Sequence, residues 1–122
     1  MKALIVDDSA LARRTIMQAL KQVGFDEFEE AADGTEAVDM VSKAAYQVIM
    51  MDWNMPQMDG IEAVRLIREQ DAKTPIIMCT GLGDEHHVKE AITMGVNNFI
   101  VKPFRPEKAA GIIQDTLNLC SE

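Results

Sequence analysis

A chain of 122 residues, 48% apolar and 26% charged, is long enough to bury one real core and reads as a single domain over residues 1–122. Its net charge of −8, from 12 basic and 20 acidic residues, argues against nucleic acid as a partner, which demands a basic face. No stretch approaches the roughly 18 apolar residues of a membrane span, and two acids cut short the apolar run after Met1, so we expect neither membrane nor secretion signal and place the protein in the cytoplasm.

In chain order, Ala3–Val6 is an apolar run that ends on Asp7-Asp8. From Ser9, a suitable N-cap, Ala12, Ile16, Ala19, Leu20 and Val23 fall at helical spacing, and Gly24 supplies a stop. Phe28–Ala32 is a weaker strand pattern closed by Asp33-Gly34, and Val38, Val41 and Ala45 mark a second helix. Val48–Met51 is apolar throughout and ends on Asp52. Ile61, Val64 and Ile67 mark the next helix, with Arg65, Arg68 and Glu69 expected to face water. Ile76–Cys79 runs into Thr80-Gly81, and Val88, Ala91 and Ile92 form a helical stripe stopped by Gly95. Phe99–Val101 ends on Lys102-Pro103, and a last helix starting near Pro106 carries Ala109, Ile113, Leu117 and Cys120.

Five strands alternating with five helices predict an α/β fold with a parallel sheet and right-handed crossovers. Continuously apolar strands are expected where helices cover both faces. In such a sheet all C-terminal strand ends lie along one edge, where ligands of open α/β sheets bind. Asp7-Asp8, Asp52, Thr80 and Lys102 should therefore meet, although tens of residues separate them. Three crowded carboxylates raise one another's pKa unless something compensates. Lys102 supplies one positive charge, and a hard divalent cation suits the remaining oxygen donors. Such a site can hold a phosphoryl group, with hydrogen bonds from Thr80 and charge from Lys102. A carboxylate can also act as nucleophile and become an aspartyl phosphate. Asp52, at the end of a central strand, is the candidate.

DDS at 7–9, DWNMPQMDG at 52–60, TG at 80–81 and KPF at 102–104 resemble the response-regulator receiver domain. The resemblance covers essentially the whole chain and is nearest to single-domain chemotaxis regulators of the CheY type. It implies a doubly wound, flavodoxin-like sheet of five parallel strands in the order 2-1-3-4-5, with five helices. It implies Asp52 as phosphoacceptor, Asp8 as direct Mg2+ ligand, Asp7 as a ligand through water and the backbone carbonyl of Asn54 as a further ligand, with Mn2+ able to substitute. Thr80 takes the place of the hydroxyl that reaches for the phosphoryl group, and Lys102 that of its cationic partner, joined to Pro103 by a cis bond. Phe99 occupies the aromatic switch position, where motor-binding members usually carry tyrosine. The implied partners are a sensor histidine kinase and a downstream protein bound by the helix 4–strand 5–helix 5 face, such as a flagellar motor switch or a phosphatase, with the regulator itself a monomer. The chemistry is enzyme-like but performed on itself, so the chain is not expected to be an enzyme.

The bland residues are Cys79, expected to be a buried thiol, Cys120, a terminal one, and His86 and His87, which lack ligand-spaced partners. The nine methionines read mostly as core filler, with Met55 and Met58 flanking the loop after Asp52. Several alternatives stay open. A phosphohydrolase with an aspartyl nucleophile needs a second acid two residues on, where Asn54 stands. A flavodoxin-like FMN protein needs a phosphate cradle where this chain has Asp7-Asp8. A receiver portion of a longer regulator, a phosphorelay carrier and a phosphate sink complete the set. Because the chain starts at Met1 and ends after the fifth helix, a stand-alone protein is expected.

Overall fold

The computed structural model describes residues 1–53, 55, 57–81 and 88–120. Its strands are β1 (Lys2–Val6), β2 (Glu27–Ala31), β3 (Val48–Asp52), β4 (Ile76–Thr80) and β5 (Asn98–Val101). They form one parallel sheet in the order β2-β1-β3-β4-β5. Its helices are α1 (Ala10–Val23), α2 (Gly34–Lys43), α3 (Gly60–Gln70), α4 (Val88–Thr93) and α5 (Pro106–Cys120). The expected α/β fold and strand order are both present.

Local chemistry sets the helix ends. Ser9, Asp33 and Asp59 each accept a hydrogen bond from the N–H three residues on, at Ala12, Glu36 and Glu62. Gly24 closes α1 with φ of 107°, a left-handed conformation that a side chain resists.

Alternation along the strands divides the core in two. Ala3 and Ile5 of β1, Val48 and Met50 of β3, Ile77 and Cys79 of β4 and Ile100 of β5 join Ile16 and Leu20 of α1 and Ala109 and Ile113 of α5. Leu4, Val6, Ile49, Met51, Ile76 and Met78 face the other way, toward Ala37 of α2, Ala63, Val64 and Ile67 of α3 and Ala91 of α4. All five residues of β3 and of β4 are buried, which explains their unbroken apolar runs.

Four expectations need correction. The second strand is Glu27–Ala31, one residue earlier than expected, so Ala32 lies beyond it. Ala45 is outside α2, which ends at Lys43 with Ala44 as its C-cap. Ile92 is 57% exposed, because the buried side of α4 is carried by Ala91. Arg68 does not simply face water: its guanidinium donates to the carbonyls of Gly95 and Asp71 and to Asn97 Oδ1, tying the end of α3 to the turn before β5. His86, His87, Leu82 and Gly83 lie outside the described residues.

Candidate phosphoryl-transfer site

The site forms along one edge of the sheet, where β1 and β3 end side by side and β5 ends beyond β4. Asp7 follows β1, and its N–H donates to the carbonyl of Ala31, extending the ladder with β2. Its carboxylate is 1% exposed and doubly engaged. Oδ1 accepts from the Ser9 N–H at 2.9 Å and Oδ2 from Lys102 Nζ at 2.9 Å. Asp52 closes β3 in register with Cys79, is 6% exposed, and accepts from the same ammonium at 2.9 Å. Lys102 lies just past β5, and its own N–H donates to the Thr80 carbonyl at 2.6 Å. The Lys102–Pro103 peptide is cis, as the resemblance implied. Asp8 is exposed, yet it contributes to the same cluster: one oxygen each from Asp7, Asp8 and Asp52 lie within 4.8 Å of one another.

The electrostatics follow from that crowding. Burial pushes the Asp52 carboxyl above its ordinary value, the charges of Asp7 and Asp8 push the same way, and Lys102 only partly offsets them. For Lys102, burial pulls the ammonium down, but its hydrogen bonds to Asp52 and Asp7 and their charges outweigh that and raise it. Lys102 therefore stays cationic at neutral pH. Three carboxylates against one ammonium leave an excess of negative charge held by oxygen donors. That donor set fits a hard divalent cation, which favours carboxylate oxygens and keeps water on its open positions.

Thr80 ends β4 and is 2% exposed. Its register places it with Ile76 and Met78, on the α2–α3–α4 side of the sheet. Phe99 is half-buried against that same side. The structure thus brings Asp7, Asp8, Asp52 and Lys102 together and sets Thr80 and Phe99 on one side of the sheet. Asn54 lies outside the described residues. Cys79 is fully buried, and its thiol is pushed up to about 12 by that burial, so it is an inert core residue.

Two residues that position the site do not stand out in the sequence. Gly60 opens α3 where the helix crosses the end of β3, and its N–H donates to the Trp53 carbonyl at 2.8 Å. A Cβ there would stand 2.3 Å from the Asp52 carbonyl oxygen and 2.8 Å from Met78 Cε. Its signals are a glycine at a first helical position, which better helix formers could fill, and its place at the end of the DWNMPQMDG stretch. Arg13 donates from Nη1 to the Asp7 carbonyl at 2.6 Å and from Nε to Glu30 at 2.9 Å. Its signal is a charge at i−3 and i−7 from the buried Ile16 and Leu20.

The profile of the Response regulator receiver domain family matches residues 3–114. The chain belongs to this family. It is 42% identical over 120 residues to a chemotaxis protein CheY homolog of Campylobacter jejuni, covering 96% of this chain and 92% of that protein. It is 40% identical over 117 residues to the chemotaxis protein CheY of Bacillus subtilis, covering 96% and 98% of the two chains. The crystal structure of Vibrio cholerae chemotaxis protein CheY4 superposes with a TM-score of 0.86 at 38% identity, covering 94% of this chain and 97% of that one. This is a CheY-like receiver with an acidic pocket at Asp7, Asp8 and Asp52, and receivers of this type are signalling proteins rather than enzymes of metabolism. Membership of the receiver family implies a histidine kinase as partner, and the chain's CheY relatives imply chemotaxis partners downstream. Among the described residues no helix is long and apolar enough to cross a membrane.

Proposed function

We propose that residues 1–122 form one receiver domain that works in the cytoplasm as a monomer, takes a phosphoryl group on Asp52 and passes the signal on through a change of surface. The observation that carries this reading is the placing of Asp52. A buried carboxylate at the end of the central strand shares one ammonium with Asp7 and stands beside Asp8.

An Asp52 carboxylate oxygen attacks phosphorus. The new O–P bond forms as the P–N bond of the kinase's phosphohistidine breaks, and the imidazole leaves. Lys102 turns its N–H bonds toward the incoming phosphoryl oxygens, where its charge is most needed. Asp7, Asp8 and Asp52 would hold a Mg2+ ion, or Mn2+ with the same oxygen donors, and the resemblance adds the Asn54 carbonyl to that set. A cation held there would supply charge neutralisation at the phosphoryl oxygens. Attack by water releases inorganic phosphate and restores Asp52.

Phosphorylation adds about −1.5 to −2 charges at neutral pH. Thr80 is drawn toward that charge, and the space it leaves admits Phe99. The partner reads the face built from α4, β5 and α5, where Ile92 and Val101 are 57% and 42% exposed. A flagellar motor switch or a phosphatase fits such a face. Phe99 can turn inward, but it has no hydroxyl with which to bond a partner.

The test is transfer from acetyl phosphate or a kinase with Mg2+ present. Asp52→Asn, nearly isosteric but not nucleophilic, should lose base-labile phosphate incorporation by at least a hundredfold, about 2.7 kcal/mol at 1.36 kcal/mol per tenfold. Equal stoichiometry in the variant would overturn the assignment of Asp52.

A further inference from the structure

Every polar group of Asp7 is engaged. Its N–H donates to Ala31, its two carboxylate oxygens accept from Ser9 and Lys102, and its carbonyl accepts from Arg13 Nη1 at 2.6 Å. Asp8 differs: it is exposed, so the direction of its carboxylate is set mainly through its backbone. The peptide that carries Asp8 begins at the Asp7 carbonyl, the group that Arg13 holds. Arg13 is itself braced. Its Nε donates to Glu30 Oε1 at 2.9 Å, and its side chain is 19% exposed. Glu30 adjoins Ala31, the residue that takes the Asp7 N–H. One guanidinium fork thus ties α1, β2 and the Asp7–Asp8 peptide together.

We propose that Arg13, braced by Glu30, is a positioning residue that aims Asp8 and thereby sets the affinity of the site for a divalent cation. The inference rests on Asp7, Asp8 and Asp52 being a cation site. Groups that orient metal ligands commonly contribute 10–100-fold in affinity without touching the metal. A planar fork that serves two acceptors cannot be replaced by a lysine, whose single ammonium lacks that geometry.

The sign of the effect separates this role from a mere charge. Removing a cation near an acidic cluster should strengthen binding of another cation by relieving repulsion. Removing a positioning group should weaken it. The experiment titrates Mg2+ against the fluorescence of Trp53, the single tryptophan, in the whole chain. Arg13→Gln should weaken Mg2+ binding about tenfold. Arg13→Lys should restore little of it. Arg14→Gln, which removes the same charge from an exposed neighbour, should leave binding equal or slightly tighter. Glu30→Gln keeps the bond to Asp7 but loosens the brace, so it should weaken binding by a smaller factor. That variant also serves should Arg13→Gln melt below the assay temperature. Unchanged or tighter Mg2+ binding in Arg13→Gln, or full rescue by Arg13→Lys, would overturn the proposal. A flat titration of the unaltered protein would instead overturn the cation site itself.

Discussion

The two faces of the sheet are built differently. On one side lie α1 and α5, 14 and 15 residues long and packed against each other. Asp7, Asp52 and Lys102 continue the register of that face, following Ile5, Met50 and Ile100. On the other side α2 packs on α3, and in the remaining helix, α4, Ala91 is the buried one among the described side chains. Thr80 and Phe99 belong to this second side. The groups proposed to carry the chemistry thus stand over the α1–α5 pair. Thr80 and Phe99, which move in the proposed switch, stand instead on the side of α4, where few of the described side chains are buried and local rearrangement costs less. Arg68 sharpens the contrast. It fixes the far end of α4 through the Gly95 carbonyl, so movement there would pivot about that end rather than displace the whole helix.

The largest expected effect breaks the fixed half. Gly60→Ala would drive a methyl group into the backbone that carries Asp52, with no flexible neighbour to yield at the carbonyl oxygen. Overpacking of this kind typically costs about 1–3 kcal/mol, and backbone as the obstacle puts this site at about 3 kcal/mol. Urea unfolding should show a lower midpoint at unchanged slope, and Asp52 should be phosphorylated more slowly. A variant that unfolds at the wild-type midpoint would show that α3 can move away from β3 freely.

Much of this architecture is legible in the order of the residues alone. Four apolar runs, two ending on carboxylates, one on a hydroxyl and one on an ammonium, place the strand ends on one edge, and that edge is the site. Asp52 and Lys102 stand out because residues past buried strands have few places to go. Arg68, Gly60 and Arg13 do not, for one shared reason. Each acts across a gap between elements: Arg68 to the Gly95 turn, Gly60 to the end of β3, Arg13 to Asp7 and Glu30. Helical spacing reports which way a residue faces, not what stands opposite. Ile92 fails in the mirror sense, since its spacing is helical yet it stands 57% exposed beside the buried Ala91.

A smaller effect tests the movable half. Thr80→Ala should be phosphorylated to the wild-type extent, because Asp52 and Lys102 sit on the other face. It should lose one charge-assisted hydrogen bond to the phosphoryl group, about 1.5 kcal/mol, and so shift the switch roughly tenfold toward the inactive form. Chemical shifts of Phe99 and α4 with beryllofluoride, a phosphoryl mimic, are the measurement. A full shift in Thr80→Ala would remove Thr80 from the coupling between the two faces.

The smallest effect is a pH dependence confined to the fixed half. The Asp52 carboxyl is held above its ordinary value of 3.8, by burial first and then by the Asp7 and Asp8 charges. A raised carboxyl means that the folded protein binds its proton more readily than the unfolded chain does. Ionised Asp52 therefore costs stability at neutral pH, and the cost is relieved as pH falls through its raised value toward 3.8. Other carboxylates act in the opposite sense. Asp71 is held low because its hydrogen bonds to Thr74 and Lys73 and the charge of Arg68 together outweigh its burial, so it loses stabilisation as the solution becomes acid. Lys102 does not intervene, since a raised ammonium keeps its full contribution below its ordinary 10.5. Comparing the wild type with Asp52→Asn reads Asp52 together with its coupling to Asp7, Asp8 and Lys102, as the remaining carboxylates are common to both. With a chelator present, Asp52→Asn should melt higher than the wild type at pH 7, and the gap should close as the pH approaches 4. A gap that widens in acid would mean that the Lys102 bond, not burial and repulsion, dominates the energy of Asp52. The fixed half would then be held together by its charges rather than holding them against their preference.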